Sequence, residues 1–517
     1  MKKTMQNGQP RGSRASQTDA ARTTLGALAV MALLAVLPGH ARAASPITNG
    51  APTTLPGYSG APWKAKPIKG KKPPYNTHMA PNGRSNVHND AWMTDAYTRP
   101  GPRGITPATL STAIGRVCIT ITFDRLGRLV ASCSSLAGPR LYMFDPKTLD
   151  ELAEFDLPYV APPPGQDPTT NSAGGVYFYL DNRNRVVIAT TTNHIWRIAE
   201  APKGQPLGFV LDEDWDLTGV VATDDRITSA LPDWKGRIWF VSRYHGTVGV
   251  LDPNTGAIQS TTLNEEIENS FAVDKQGIYI VSDKQMYRFD LDAAGVPSVT
   301  WAVTYQNTGV AKLGQINAGS GTTPTLLQGG FVAIADNADP MNVVVYRTAS
   351  TLDAGQSRLV CEVPVFDAGA GATENSLIGT GASMIVENNY GYKATITMNG
   401  ATTTPGFTRI DLDADGNGCH VVWTNTTEAA PSVVAKLSLT NGLVYTYTKE
   451  ADPVNTMADA WFWTAIDFQT GATVWKQLAG TGLNFNNHYA GIVLGKTGTA
   501  YLGAVGGVLA IHDQKAR

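Results

Sequence analysis

The chain has 517 residues, with 41 Lys and Arg against 43 Asp and Glu and a formal net charge of −2. Charged residues make up only 16%, and no block of like charge occurs, so there is no basic field to hold nucleic acid. The 52 glycines suit a turn-rich chain. At about 150 residues per domain the length would give three domains, unless repeated units close into one body.

At the N-terminus, Lys2, Lys3, Arg11, Arg14 and Arg22 precede an apolar run from Leu25 to Leu37, and Ala41-Arg42-Ala43 comes next. This is the pattern of a cleaved export signal over 1–43. The run is shorter than the ~20 residues needed to span a bilayer, and no later segment reads as a span. The expectation is a secreted or periplasmic protein with no membrane insertion once the signal is removed.

Residues 44–110 are rich in Pro, Gly, Lys and Asn and read as an extended arm that closes or caps the rest of the chain. The stretch Asn86-Val87-His88-Asn89-Asp90-Ala91-Trp92 is polar enough to expect the arm to fold back over a site. An ordered capping loop is the plainer reading.

From 111 to 517 short strands alternate at period 2 between Gly- and Asp-bearing turns. A segment ending in Asp-x-x-Thr-Gly returns at Asp252–Gly256 and Asp467–Gly471, and a related strand pair runs from Tyr279 to Asp290. Eight repeats can be counted. The first has Val117–Phe123, Arg128–Cys133, Leu141–Asp145 and Leu152–Leu157. The second (Gly175–Leu180, Arg185–Thr191, His194–Ile198), third (Ile227–Pro232, Ile238–Arg243, Thr247–Asp252) and fourth (Ser270–Asp274, Gly277–Ser282, Met286–Asp290) show three strands each. The fifth, sixth and seventh start near Thr323, Ser376 and Val433. The eighth runs from Ala490 to His512 and lacks a fourth strand. All-β units at this period predict a single β-propeller of eight four-stranded blades, seven being the alternative count, closed by an N-terminal segment.

The four cysteines are an even number, as exported proteins favour. Cys118 and Cys133 flank the turn Asp124-Arg125-Leu126-Gly127. Pairing Phe123 with Arg128 sets them opposite each other, so a cross-strand disulfide is expected. Cys361 and Cys419 lie in late strands of successive repeats, and whether they pair is open at this stage.

Residues Ala465-Ile466-Asp467-Phe468-Gln469-Thr470-Gly471-Ala472-Thr473-Val474-Trp475-Lys476 and Gly498–Ile511 resemble the PQQ-like (quinoprotein-type) β-propeller repeat. The resemblance implies a fold more than a function. Quinoprotein dehydrogenases of this kind often carry an adjacent Cys pair or a haem site. Neither is present, so PQQ is kept only as an alternative cofactor.

In a propeller the loops entering inner strands and those after second strands open on one face. That topology collects Glu268-Asn269-Ser270, Glu374-Asn375-Ser376, Asn486-Asn487-His488, Asn171-Ser172, Tyr244-His245 and Asp283-Lys284 around one channel mouth. Glu268, Asn269, Glu374 and Asn375 are hard oxygen donors that suit Ca²⁺. His245 and His488 are candidate general bases, and Tyr244 and Lys284 candidate acids or anion stabilisers. The expected function is a hydrolase or lyase acting on a small-molecule substrate, the alternatives being a non-catalytic binding scaffold and a quinoprotein dehydrogenase. Asp411-x-Asp413-x-Asp415-Gly416 resembles the start of an EF-hand loop, but Val422 stands at the twelfth position, and a plain turn is expected.

Overall fold

A computed structural model describes residues 41–70, 72–161 and 174–514. The expected export signal, apart from residues 41–43, and Asn171-Ser172 lie outside the described residues. Strands form eight sheets, one per repeat, making an eight-bladed β-propeller. The only helix among the described residues is a single 3₁₀ turn, Leu483–Phe485.

The turns explain why these segments pair. In three blades the first two strands are joined by Asp-x-x-(Gly/Asn)-Arg. The Asp233 carboxylate accepts the N–H groups of Lys235 (2.8 Å) and Arg237 (3.1 Å), and Arg237 Nε donates to its other oxygen (2.7 Å). Asp124 with Arg128 and Asp181 with Arg185 repeat this arrangement. The fourth position is left-handed each time, at Gly127, Asn184 and Gly236, where Gly or Asn is least strained. The Asp-x-x-Thr-Gly segments make the turn between third and fourth strands, with Gly256 N–H donating to the Asp252 carbonyl and Gly471 N–H to that of Asp467.

Blades two, three and four do have fourth strands, at Phe209–Asp216, Ile258–Thr262 and Pro297–Thr304. They escape sequence reading because they lie at the outer edge. Phe209–Asp216 is exposed along most of its length and carries Asp212, Glu213, Asp214 and Asp216, the charge that keeps an open edge from pairing with other chains. The ring is closed as expected. Pro107–Ala113 is the outer strand of blade eight, beside Gly507–Asp513.

The remaining arm is threaded into the ring. Tyr58–Gly60 adds a strand outside blade seven, and Ala96–Tyr97 adds a parallel one inside it, making six. Gly60 has φ +96°, and a Cβ there would lie 2.2 Å from the Val474 carbonyl oxygen, so only glycine lets the outer strand dock. Between these strands, residues 76–97 cross the channel. The inner-strand N–H groups of Leu180, Val273, Leu326, Gly379 and Leu437 donate to the carbonyls of Ser85, Ala91, Trp92, Thr94 and Asp95. The arm therefore plugs the channel from the side of the Asp-x-x-(Gly/Asn)-Arg turns. The blades pack through buried aliphatic and aromatic side chains, among them Trp461, Trp463, Trp475 and Phe240.

Both cysteine pairs are disulfides. Cys118 does face Cys133, but Phe123 pairs with Leu129, and a bulge at Ile119 restores the register. Cys361–Cys419 ties the outer strand of blade five to that of blade six. It closes the longer loop, a sequence separation of 58 against 15. Cys361→Ala/Cys419→Ala is expected to lower the unfolding free energy by about 2–4 kcal/mol, read as an earlier midpoint in denaturant. Reduced wild-type protein should show a loss at least as large.

Candidate functional site

On the face opposite the plug's entry, the channel holds a chamber of about 60 Å³. Its floor is Val87 and His88 of the arm. Its walls include Tyr177, Glu268, Asn269, Thr323, Glu374, Asn375, Ser376, His488 and Tyr489. An outer pocket of about 380 Å³, with Arg116, Leu136, Ala394 and Leu483 among its walls, shares Ile119, Val176 and His488 with the chamber. A small polar chamber thus opens beside a wider, more apolar one.

The repeats place these residues. Counting back three from each plug-bonded N–H gives Tyr177, Ser270, Thr323, Ser376 and Val434, and all but Ser270 line the chamber. Ser270 is turned instead to Ser229, at 2.8 Å. Two residues further back stand Glu268, Gly321 and Glu374. A Cβ on Gly321 would lie 2.7 Å from Glu374 Oε2 and closer still to the Thr373 carbonyl, so the loop holding Glu374 requires a glycine beside it.

Glu268 and Glu374 are buried, at 3% and 7% exposure, and close enough for each to shift the other's titration. Burial pushes both carboxyls up. The Glu268 charge pushes Glu374 further, while Arg243 draws Glu268 back down, its Nη2 lying 3.9 Å from Glu268 Oε1. Two adjacent buried carboxyls resist carrying two charges at once, because the charges repel and lack solvation. Glu374 Oε2 also accepts the Ile316 N–H at 3.2 Å. Tyr177 O–H donates to Asn269 Oδ1 at 3.1 Å, and burial together with the charges of Glu268 and Glu374 holds its hydroxyl protonated. Glu374 Oε1 and Asn375 Oδ1 are buried without a hydrogen-bond partner among the described residues.

His488 and Tyr489 both have left-handed backbones, φ 44° and 65°, unusual for adjacent bulky residues and costing of order 1–2 kcal/mol each. Asn486 Oδ1 accepts the His488 N–H at 3.0 Å, Ser432 Oγ accepts the Tyr489 N–H at 3.2 Å, and Tyr392 O–H lies 2.9 Å from His488 Nδ1. These contacts hold the strained pair against the chamber.

Beneath the chamber lies a buried polar cluster. His88 Nδ1 is 3.1 Å from Asp95 Oδ2 and 3.0 Å from Ser376 Oγ. Ser376 Oγ also lies 3.5 Å from His88 Nε2, so it sits at the edge of the ring between the two nitrogens. Lys436, fully buried, pairs with Asp95. Glu387 accepts from Asn375 (2.6 Å) and Asn389 (3.0 Å).

The structure thus brings together Glu268, Asn269, Glu374, Asn375 and His488. It does not bring His245, Tyr244 or Lys284 to them. His245 is 42% exposed and bonded to Asp224 at 3.1 Å. Tyr244 stacks beneath the Arg243 guanidinium, and Lys284 is exposed. None of the three lines the chamber, because loops after second strands sit one strand farther from the axis. Sequence reasoning missed Tyr177, whose signal was its position in the repeat, and left Tyr489 unassigned beside His488. The Asp411–Asp415 turn gathers no ligand set: Asp411 pairs with Arg409, Asp413 with His420, and Asp415 accepts its own turn's Asn417 N–H. Among the described residues no group of three or more His, Cys, Asp or Glu side chains could hold a metal, and no helix is long and apolar enough to cross a membrane.

No protein-family model matches the chain. An uncharacterized protein of Archaeoglobus fulgidus is 27% identical over 323 residues, covering 56% of this chain and 61% of its own length. Similar solved structures include Sqt1 of Chaetomium thermophilum (12% identity, 84% of this chain and 98% of that one, TM-score 0.47) and virginiamycin B lyase of Staphylococcus aureus (12%, 67% and 96%, 0.38). Likenesses this distant carry no argument about what this chain does.

The buried acids set a pH dependence of stability. Burial raises Glu387 to about 8 and Asp90 to about 7, above their ordinary values. Their contribution is fully present below the unfolded carboxyl range and is lost as pH rises through about 7–8. The melting temperature is therefore expected to fall between about pH 5 and pH 8. Glu387→Gln should flatten that fall by more than about 2 °C in a calorimetric series.

Proposed function

We propose that the chain is an exported β-propeller enzyme, a hydrolase or lyase, acting on a small organic substrate at the central channel. The observation that carries this reading is the buried Glu268–Glu374 pair in a chamber that adjoins a wider pocket. One carboxyl of such a pair can take a proton while the other gives one, which elimination and hydrolysis both require. The strained His488-Tyr489 step and the protonated Tyr177 hydroxyl at the same chamber support it. The outer pocket has the volume of a small-ligand site, within about 300–1,000 Å³. The two disulfides fit an oxidising compartment such as the periplasm or the extracellular space.

Ca²⁺ is the cofactor that the oxygen set would take. Glu268, Glu374 and the Asn375 side-chain oxygen would hold it, and it would supply Lewis-acid stabilisation of a developing oxyanion. Without it the carboxyl pair works as acid and base.

The test is turnover by purified protein on a panel of small esters, lactones and β-eliminating uronides, with and without EDTA. Glu268→Gln and Glu374→Gln should each lower kcat by about 10²–10⁴-fold, whereas His245→Ala should leave it within about twofold of wild type. The pH profile should be bell-shaped, with both limbs above the ordinary carboxyl range, since burial raises both groups. Undiminished turnover in both Glu variants would overturn the reading.

A further inference from the structure

The face of the ring opposite the chamber carries a second pocket, of about 340 Å³, between blades eight and one. Four basic side chains reach it from four separate segments: Arg99 from the arm, Lys147 from the third turn of blade one, Lys496 from the first turn of blade eight, and His512 from its third strand. No Asp or Glu side chain lines it. None of the four forms an ion pair among the described residues.

The nearby carboxylates are committed elsewhere. Asp124 is bound to Arg128 and to turn N–H groups, and Asp145 accepts the N–H groups of Lys147 and Thr148. Arg99 is the anchor. Its guanidinium lies 5.6 Å from the Phe123 ring centroid and donates one bond to the Leu494 carbonyl at 3.2 Å. Burial disfavours its charge, Tyr97 offsets part of that, and nearby Arg84 adds to the cost. A half-buried guanidinium with donors to spare and no counter-ion, flanked by two lysines, is a preformed oxyanion cradle. A chain of net charge −2 has carboxylates enough to neutralise these groups, and none is placed there.

We propose that this pocket binds a small multivalent oxyanion, with Arg99 as the fixed ligand and Lys147 and Lys496 closing on it from the rim. Tyr501 and Phe123 at the walls leave room for a planar or apolar part of the same molecule. The site stands on the other face from the carboxyl pair, so it is independent of the proposed catalytic reading.

The test is calorimetric titration of the full-length protein with inorganic pyrophosphate, inorganic phosphate and citrate at low ionic strength, with sodium chloride as the control. Wild-type protein should bind pyrophosphate or citrate, with affinity falling as salt rises. Lys147→Gln/Lys496→Gln, both exposed, should bind about tenfold more weakly with unchanged melting of the free protein. Arg99→Gln should weaken binding further. Pyrophosphate favoured over citrate identifies a phosphorylated ligand, and the reverse order a polycarboxylate. No binding beyond the chloride control, or equal affinity in the double-lysine variant, would overturn the proposal.

Discussion

The inner strands of a propeller point one edge of backbone donors at the axis, and those donors need partners. In most of this ring the partners are carbonyls of the chain's own arm, reached by the N–H groups of Leu180, Val273, Leu326, Gly379 and Leu437. Each such bond adds only about 1 kcal/mol net, but a buried donor left unmade would cost more. Because the blades are near copies, one segment crossing the axis can satisfy the same atom in blade after blade. That single constraint turns an open channel into a cup. It also carries His88, Asp90 and Asp95 to the centre of the molecule.

Filling the axis with a polar segment has electrostatic consequences. Asp95 is tolerable there because Lys436 and His88 meet it, and Glu387 because two amides donate to it. Above the plug the chamber is small and Glu268 and Glu374 are buried in its wall, so two full charges there would be poorly solvated. The strained backbone at His488-Tyr489 is held by neighbours that the plug and the long loop after Glu387 keep in place.

The opposite face is built by another logic. Its turns are closed by aspartates that spend their charge on backbone N–H groups and on the arginine at the end of each turn, as at Asp124, Asp181 and Asp233. Blade eight lacks that aspartate and arginine in its Gly495–Thr499 turn, and there basic side chains collect without a carboxylate. The basic pocket sits at this break, beside the seam where the arm's strand completes the ring.

Repetition was legible from the residues, since turn chemistry and period-2 strands are local. It gave the all-β class, eight blades, closure by an N-terminal strand and the equivalence of Glu268-Asn269 with Glu374-Asn375. Local pattern also set its own limits. The charged outer strand Phe209–Asp216 reads as loop because an edge exposes both faces, and the bulge at Ile119 leaves no mark in a hairpin's length. His245 and His488 were both gathered to one face, but His245 follows a second strand, one strand farther from the axis, and only His488 reaches the chamber. Tyr177 stood at the right position unnoticed because its side chain differs from its equivalents. The pairing of Cys361 with Cys419, the path of the arm through the ring and the juxtaposition of Glu268 and Glu374 depend on contacts between residues far apart in the chain. Those contacts exist only once the ring has closed.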